Sequence, residues 1–290
     1  MKTKVITDSG SGLSQAEAEA LGIGFLPLQV MSDGKDYLDG IDLDIPTLYK
    51  MIDEGKMPTT SQPPLLMEEE LFEKYKAEGI TDLIAINLSN GLSSTNQTLQ
   101  ATAKRVGLNV HTLDIYTTLY VQKYVALAAQ QLLEQGKDPE EIIDILKKAI
   151  GGSAGYLIVE DLDHLAAGGR LTPMAAKLGG LLKIKPILEV SKRTEGRVDI
   201  YEKVRTFNKA MKKAVERMKS EMDSNVEYEF LLLDGQNEEG REGAIALLKD
   251  AFGEDITVHV DPMYAVIACH TGLGSIGFQY IPKVKGVELK

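Results

Sequence analysis

The chain has 290 residues, 43% hydrophobic and 26% charged, with 27 glycines and 10 prolines. These proportions describe a globular chain of one large or two ordinary domains, and they exclude disordered, collagenous and coiled-coil classes. Net charge is −11, from 32 basic and 43 acidic residues, which argues against general nucleic-acid binding.

The single cysteine, Cys269, excludes an intrachain disulfide and a Cys-rich metal site and fits a reducing compartment. Residues 1–10 enter a strand-like pattern with no apolar leader before a cleavage site, and no apolar run approaches the ~20 residues that span a bilayer. A cytoplasmic protein without a membrane span is expected, with transient membrane contact as its one membrane role.

Along the first half, apolar runs at 4–7, 24–31, 83–88 and 109–113 have the length and composition of buried parallel strands. Helical patterns lie between them. Ser14-Gln15-Ala16-Glu17 is a capping box, with Gly22 as its stop. Pro64, then Glu68-Glu69-Glu70, opens another helix, and helices are expected at 93–105, 117–135 and 139–149. This alternation predicts a parallel sheet with helices on both faces.

The pattern breaks at residues 151–155 and restarts with a strand at 156–159. A helical stretch at 162–182, a hairpin of 184–190 with 197–204, and a basic helix at 207–222 follow. Two further strand–helix steps end at 264–269 and 277–281. The fold class expected is α/β, with an N-terminal parallel-sheet α/β/α domain (1–155), a C-terminal α+β domain (156–290) and a ligand tunnel between them.

Two motifs fail their contexts. Gly151-Gly152-Ser153-Ala154-Gly155 matches a nucleophile elbow, but the helix precedes it and the strand follows, the reverse of what that chemistry needs. Gly272-Leu273-Gly274-Ser275-Ile276-Gly277 matches a dinucleotide fingerprint without room for the following βαβ unit. Four dispersed histidines (111, 164, 259 and 270) give no metal-ligand spacing, so neither metal nor cofactor is expected.

Open α/β sheets bind ligands at the carboxyl ends of their strands, where helix N-termini favour anions. Three hydroxyl-rich loops should meet there: Asp8-Ser9, Thr59-Thr60-Ser61-Gln62-Pro63 and Ser89-Asn90-Gly91-Leu92-Ser93-Ser94-Thr95. Such loops can hold a carboxylate, although Ser93 also fits the simpler role of helix cap. Charge is uneven as well. Residues 170–219 hold fourteen basic and five acidic residues, a local +9 that leaves −20 elsewhere. The +9 segment fits an anionic partner or a plain solvated face.

Several short motifs occur in an order and spacing that resemble the DegV family from end to end: Thr7-Asp8-Ser9, Thr60-Ser61-Gln62-Pro63, Leu92-Ser93-Ser94-Thr95-Asn96-Gln97, Gly168-Gly169-Arg170-Leu171, Leu182-Lys183-Ile184-Lys185-Pro186-Ile187-Leu188, Lys203-Val204-Arg205-Thr206 and the loop 270–277. The chain departs from the common pattern at Ser94 and Asn96, where glycine and tyrosine are usual, and at Thr172-Pro173, where Ser-Lys is common. The resemblance implies a fatty-acid-binding protein that serves as acyl carrier subunit to a separate fatty acid kinase, which phosphorylates the bound carboxylate to an acyl phosphate in phospholipid metabolism. It places the carboxylate at Thr60, Ser61, Ser93 and Ser94 with His270 and Arg170 beside it, and partner docking at Arg205.

Apolar residues in the stretch 174–182, among them Met174, Leu178 and Leu182, with Leu188 and Val190, are expected to line the acyl chain, although an amphipathic helix packing its own core would show the same pattern. Burying about fourteen methylenes at ~0.8 kcal/mol each yields roughly 11 kcal/mol before association costs, so a modest polar headgroup site suffices. The competing readings are a stand-alone serine hydrolase or transferase acting on a lipid-like acyl substrate, with Ser93 as nucleophile and distant His270 as base, and a nucleic-acid regulator using the basic segment. The latter has few stacking aromatics there, Tyr201 and Phe207.

Overall fold

The computed structural model describes residues 2–177 and 184–289. In chain order the elements are β1 (Thr3–Asp8), α1 (Gln15–Ala20), β2 (Gly24–Leu26), β3 (Gln29–Ser32), β4 (Lys35–Leu38), α2 (Ile45–Asp53), β5 (Thr59–Ser61), α3 (Leu65–Ala77), β6 (Asp82–Ile86), α4 (Thr95–Val106), β7 (Asn109–Thr112), α5 (Leu119–Glu134) and α6 (Pro139–Gly151). The second half continues with β8 (Ala154–Ile158), α7 (Leu162–Ala167), α8 (Pro173–Ala176), β9 (Lys185–Val190), β10 (Asp199–Val204), α9 (Phe207–Glu221), β11 (Tyr228–Asp234), α10 (Glu238–Phe252), β12 (Val258–Pro262), α11 (Ala265–Thr271) and β13 (Ile276–Pro282).

Strands β2-β1-β6-β7 form a parallel sheet. Its side chains alternate between faces, as a period of two requires: Ile6, Leu83 and Ala85 pack under Phe72 of α3 and Leu99 of α4, while Val5, Ile84 and Ile86 face α5 and α6. Helices thus cover both faces, as the alternating pattern predicts. A second sheet, β10-β9-β8-β13-β11-β12, is mostly antiparallel. One of its faces buries Tyr156, Phe278 and Leu232 against α9 and α10, and the other turns Leu157 and Leu231 towards α5 and α6.

Two expected elements are divided. The run at 24–31 becomes two strands in different sheets, because Pro27 has no N–H to continue a ladder. The helical stretch at 162–182 stops at Ala167; Gly169 takes φ +72°, and Pro173 starts a separate single turn. The first of the two late steps ends in a helix, α11, and the second in strand β13. Both rejected motifs keep the contexts that disqualified them, since α6 precedes Ser153 and β8 follows it, while the 272–277 glycine loop runs from α11 into β13.

Beyond α5 and α6, the two halves touch where the β9–β10 turn meets the loop after β6. Gly196 has φ +70°, and a Cβ there would lie 1.8 Å from Ser89 Oγ. Gly196→Ala therefore combines a left-handed backbone cost of about 1–2 kcal/mol with a clash. Gly55 has φ +82° and nothing within 4 Å of its added Cβ, so Gly55→Ala carries the backbone cost alone. The urea midpoint of Gly196→Ala should fall well below that of Gly55→Ala; equal midpoints would show that the close contact does not matter.

Candidate functional site

A cavity of about 410 Å³ lies where the two sheets face each other, within the range usual for small-molecule sites. Its walls include Leu28, Leu88 and Leu92 from the first half, and Leu157, Val190 and Val198 from the second. Polar side chains on its wall include Thr60, Ser61, Ser93, Ser94, Arg170 and His270, together with Gln62, Thr117, Thr118, Thr271 and Gln279. The first six are the residues expected around a carboxylate, drawn together from positions up to 210 residues apart. Among the described residues no Asp or Glu lines the cavity.

The second half sets the geometry of this cluster. His270, near the end of α11, is 9% exposed. Its Nδ1 lies 3.1 Å from the Gly168 carbonyl, which also receives Arg170 Nη1 at 3.0 Å. A carbonyl can only accept, so Nδ1 carries the proton and Nε2 accepts the Thr60 hydroxyl at 2.8 Å. Burial, and secondly the Arg170 charge, lower the His270 pKa to about 4. A neutral imidazole and an arginine with no carboxylate partner among the described residues leave the cavity electropositive.

On the opposite wall, Ser93 Oγ accepts the Thr95 N–H at 3.2 Å and shares a hydrogen bond with Thr95 Oγ1 at 2.8 Å. The helix cap position itself belongs to Ser94, whose hydroxyl makes no cap bond. Two hydroxyls joined by one bond use one of their two protons. Thr95 is fully buried, so Ser93 presents the remaining donor to the cavity. Since the Thr60 proton is committed to His270, Ser93 and Arg170 supply the donors an anion would meet. The hydrolase arrangement is not assembled: Ser93 pairs with Thr95, and the free ring nitrogen of His270 with Thr60.

Several expectations are corrected. Asp8-Ser9 does not reach the cavity wall. Asp8 is fully buried and accepts from the Gly10 and Leu88 N–H groups and from Gln122 Nε2, and Ser9 Oγ accepts the Leu28 N–H. This loop ties β1 to the neighbouring loops and to α5. Met174 is 76% exposed, because the single turn of α8 buries Ala175 instead. Leu188 is fully buried but in the core; Val190, two residues on along the same face, reaches the cavity. Leu178 and Leu182 lie outside the described residues. Sequence reading missed Leu119 and Gln279, both on the wall. Leu119 takes φ +64°, which a leucine does not announce, while Gln279 reaches across the halves to Thr117 and Thr118.

Fold and site together define an α/β protein of three sheets, with a largely apolar cavity between the two larger ones whose wall also carries hydroxyls, an imidazole and a guanidinium that suit an anion. The family model described as "Uncharacterised protein, DegV family" matches residues 2–283, and the chain belongs to that family. Over 286 residues it is 34% identical to a DegV domain-containing protein of Streptococcus pneumoniae, covering 98% of this chain and 100% of the relative. Two solved structures are similar throughout. One is a fatty acid binding DegV family protein from Streptococcus agalactiae, with TM-score 0.87, 30% identity and coverage of 98% and 99%. The other is DegV, a fatty acid binding protein from Bacillus subtilis, with TM-score 0.85, 30% identity and coverage of 98% and 100%. Among the described residues no helix is long and apolar enough to cross a membrane, and no group of side chains could hold a metal ion.

The lowered His270 pKa gives a pH test. Between the ordinary value of 6.5 and the folded value of about 4, the unfolded chain binds the proton and the folded one does not, so stability falls as pH falls. The contribution is about 2 kcal/mol between pH 7.5 and pH 5. Asp8 and Asp39, raised to about 6 and about 7 mainly by burial, act with the opposite sign and are common to both proteins in the comparison. In urea titrations at the two pH values, wild type should lose about 2 kcal/mol more than His270→Gln. Equal losses would show that His270 is not held neutral.

Proposed function

We propose that the protein binds a long-chain fatty acid in this cavity and presents its carboxylate to a separate kinase for phosphorylation to acyl phosphate. The observation that carries the binding step is Arg170, a half-buried guanidinium with no acidic partner among the described residues, standing with neutral His270 on the wall of a largely apolar cavity. The fatty acid binding described for the Streptococcus agalactiae and Bacillus subtilis proteins supports the same ligand class. Ser93 and Arg170 hold the carboxylate in this reading, Thr60 stands beside it bonded to His270, and Leu28, Leu88, Val190 and Val198 enclose the chain. Residues 1–155 contribute most of the headgroup site, while residues 156–290 contribute much of the chain-binding wall and the partner surface.

The kinase step rests on the resemblance and on the basic segment. Arg193, Lys213 and Arg217 pair with acidic neighbours. Exposed Lys192, Arg197, Lys203, Arg205, Lys209 and Lys212 have no ion pair among the described residues. Arg205, between β10 and α9, offers a planar, bidentate group for phosphate or carboxylate. An unpaired basic surface steers association more than it stabilises a fold.

Delipidated protein titrated with palmitate or oleate tests the binding step. Ser93→Ala should weaken affinity on the order of ten- to a hundredfold, the loss of a hydrogen bond to a charged group, with a melting temperature close to wild type. Unchanged affinity with about 1 kcal/mol of lost stability would make Ser93 a structural residue. Arg205→Ala should bind fatty acid normally yet slow acyl phosphate formation by a cognate kinase, and the wild-type reaction should weaken as salt rises. Full turnover by Arg205→Ala at low and high salt would remove the docking role.

A further inference from the structure

Two glycines occupy strand interiors on the cavity floor. Gly155 in β8 and Gly277 in β13 both line the cavity. The strands are antiparallel, with Gly155 opposite Gln279 and Leu157 opposite Gly277. The glycines are therefore diagonal neighbours on one face, and the floor between the Leu157 and Gln279 side chains is a trough crossing the two strands.

Glycine weakens a strand interior and often marks close approach of a ligand or another backbone. The protein itself does not require it here. Neither residue has positive φ. A Cβ on Gly155 would meet its nearest neighbours, Gln279 Nε2 and the Val190 carbonyl, at 3.4 Å, which is ordinary contact. On Gly277 the nearest atom would be Leu233 Cβ at 3.3 Å, tighter than ordinary contact, so that buried side chain would have to give by a few tenths of an ångström. Gly168, by contrast, is required by the fold, because its Cβ would meet His270 Nδ1 at 2.8 Å. A methyl group at 155 or 277 would thus touch the protein on one side and take its remaining room from the cavity that both residues line.

We propose that Gly155 and Gly277 set the bore of the cavity and so determine how long an acyl chain the protein accepts, with the alkyl chain lying in the trough between them. The inference rests on the fatty-acid reading and names the residues that would give that site its chain-length preference. Methyl groups at either position would project into a space of about 410 Å³ and displace the methylenes that lie there. Each methylene excluded costs about fourfold in affinity.

The test is titration of delipidated wild type, Gly155→Ala, Gly155→Val and Gly277→Ala with lauric, myristic, palmitic and stearic acids. Wild-type affinity should rise along the series. The variants should bind lauric acid within about twofold of wild type and lose roughly tenfold or more for stearic acid, with the unliganded melting temperature of Gly155→Ala equal to wild type or higher. If Gly155→Val does not fold, Gly155→Ala carries the test, since its methyl group meets nothing closer than 3.4 Å. Unchanged affinities, or the same fold loss for every acid, would overturn the inference. Wild type binding none of the four would instead overturn the fatty-acid reading, and the inference with it.

Discussion

The structure depends on one helix being buried over most of its surface. Ten of the sixteen residues of α5 are buried, so it cannot be a surface helix with one apolar stripe. Val121, Tyr124, Val125, Ala128 and Ala129 share a single core with Val5, Ile84 and Ile86 of the parallel sheet and with Leu231 and Ile281 of the antiparallel one. Its start is fastened from both directions. Gln279 Oε1 of β13 accepts the Val121 N–H at 3.1 Å, and Thr118 Oγ1 donates to the Gly10 carbonyl at 3.2 Å. Buried polar groups left without these partners would cost about 1–3 kcal/mol each, so the two sheets hold a fixed relation at that end.

The cavity lies beside that fixed point, lined by Thr117, Thr118 and Leu119 where α5 begins. Its polar groups have their hydrogen-bond partners largely set by the fold. Asp8 is spent on backbone N–H groups and Gln122 behind the wall, His270 is held neutral by burial, and Arg170 has its guanidinium close to the Gly168 carbonyl rather than to a carboxylate. An anion entering this place meets one positive charge and fixed donors in a low-dielectric setting, where such interactions are stronger than in water. The apolar walls then supply non-directional attraction for whatever chain the anion carries.

Much of the parallel sheet was legible because its signals are local: capping boxes, apolar runs of strand length, and prolines at helix starts. The hairpin of β9 with β10 and the basic helix α9 were legible for the same reason. Pro27 and the Gly168–Gly169 pair were equally visible, and weighing them as breakers would have divided the two overlong elements. Hydroxyl-rich loops and the family resemblance pointed to Thr60, Ser61, Ser93, Ser94, Arg170 and His270, all of which line the cavity, whereas of the apolar candidates Val190 lines it and Met174 and Leu188 do not. Leu188 and Val190 share a strand face and read alike as lining residues, and only the position of the opposing sheet tells that Val190 reaches the cavity while Leu188 stays in the core. Met174 read as apolar and therefore inward, yet a helix of one turn has no room to define an inward face. Leu119 and Gln279 depend on a left-handed leucine and a contact across 161 residues, neither of which leaves a trace in composition or spacing.

Native mass spectrometry of the protein as purified tests most directly whether a fatty acid is held between the two sheets. A mass excess of one fatty acid per chain, lost on organic extraction and identified in the extract, is the predicted result. Folded protein with no excess mass, which also takes up no palmitate or oleate when these are added, would contradict it.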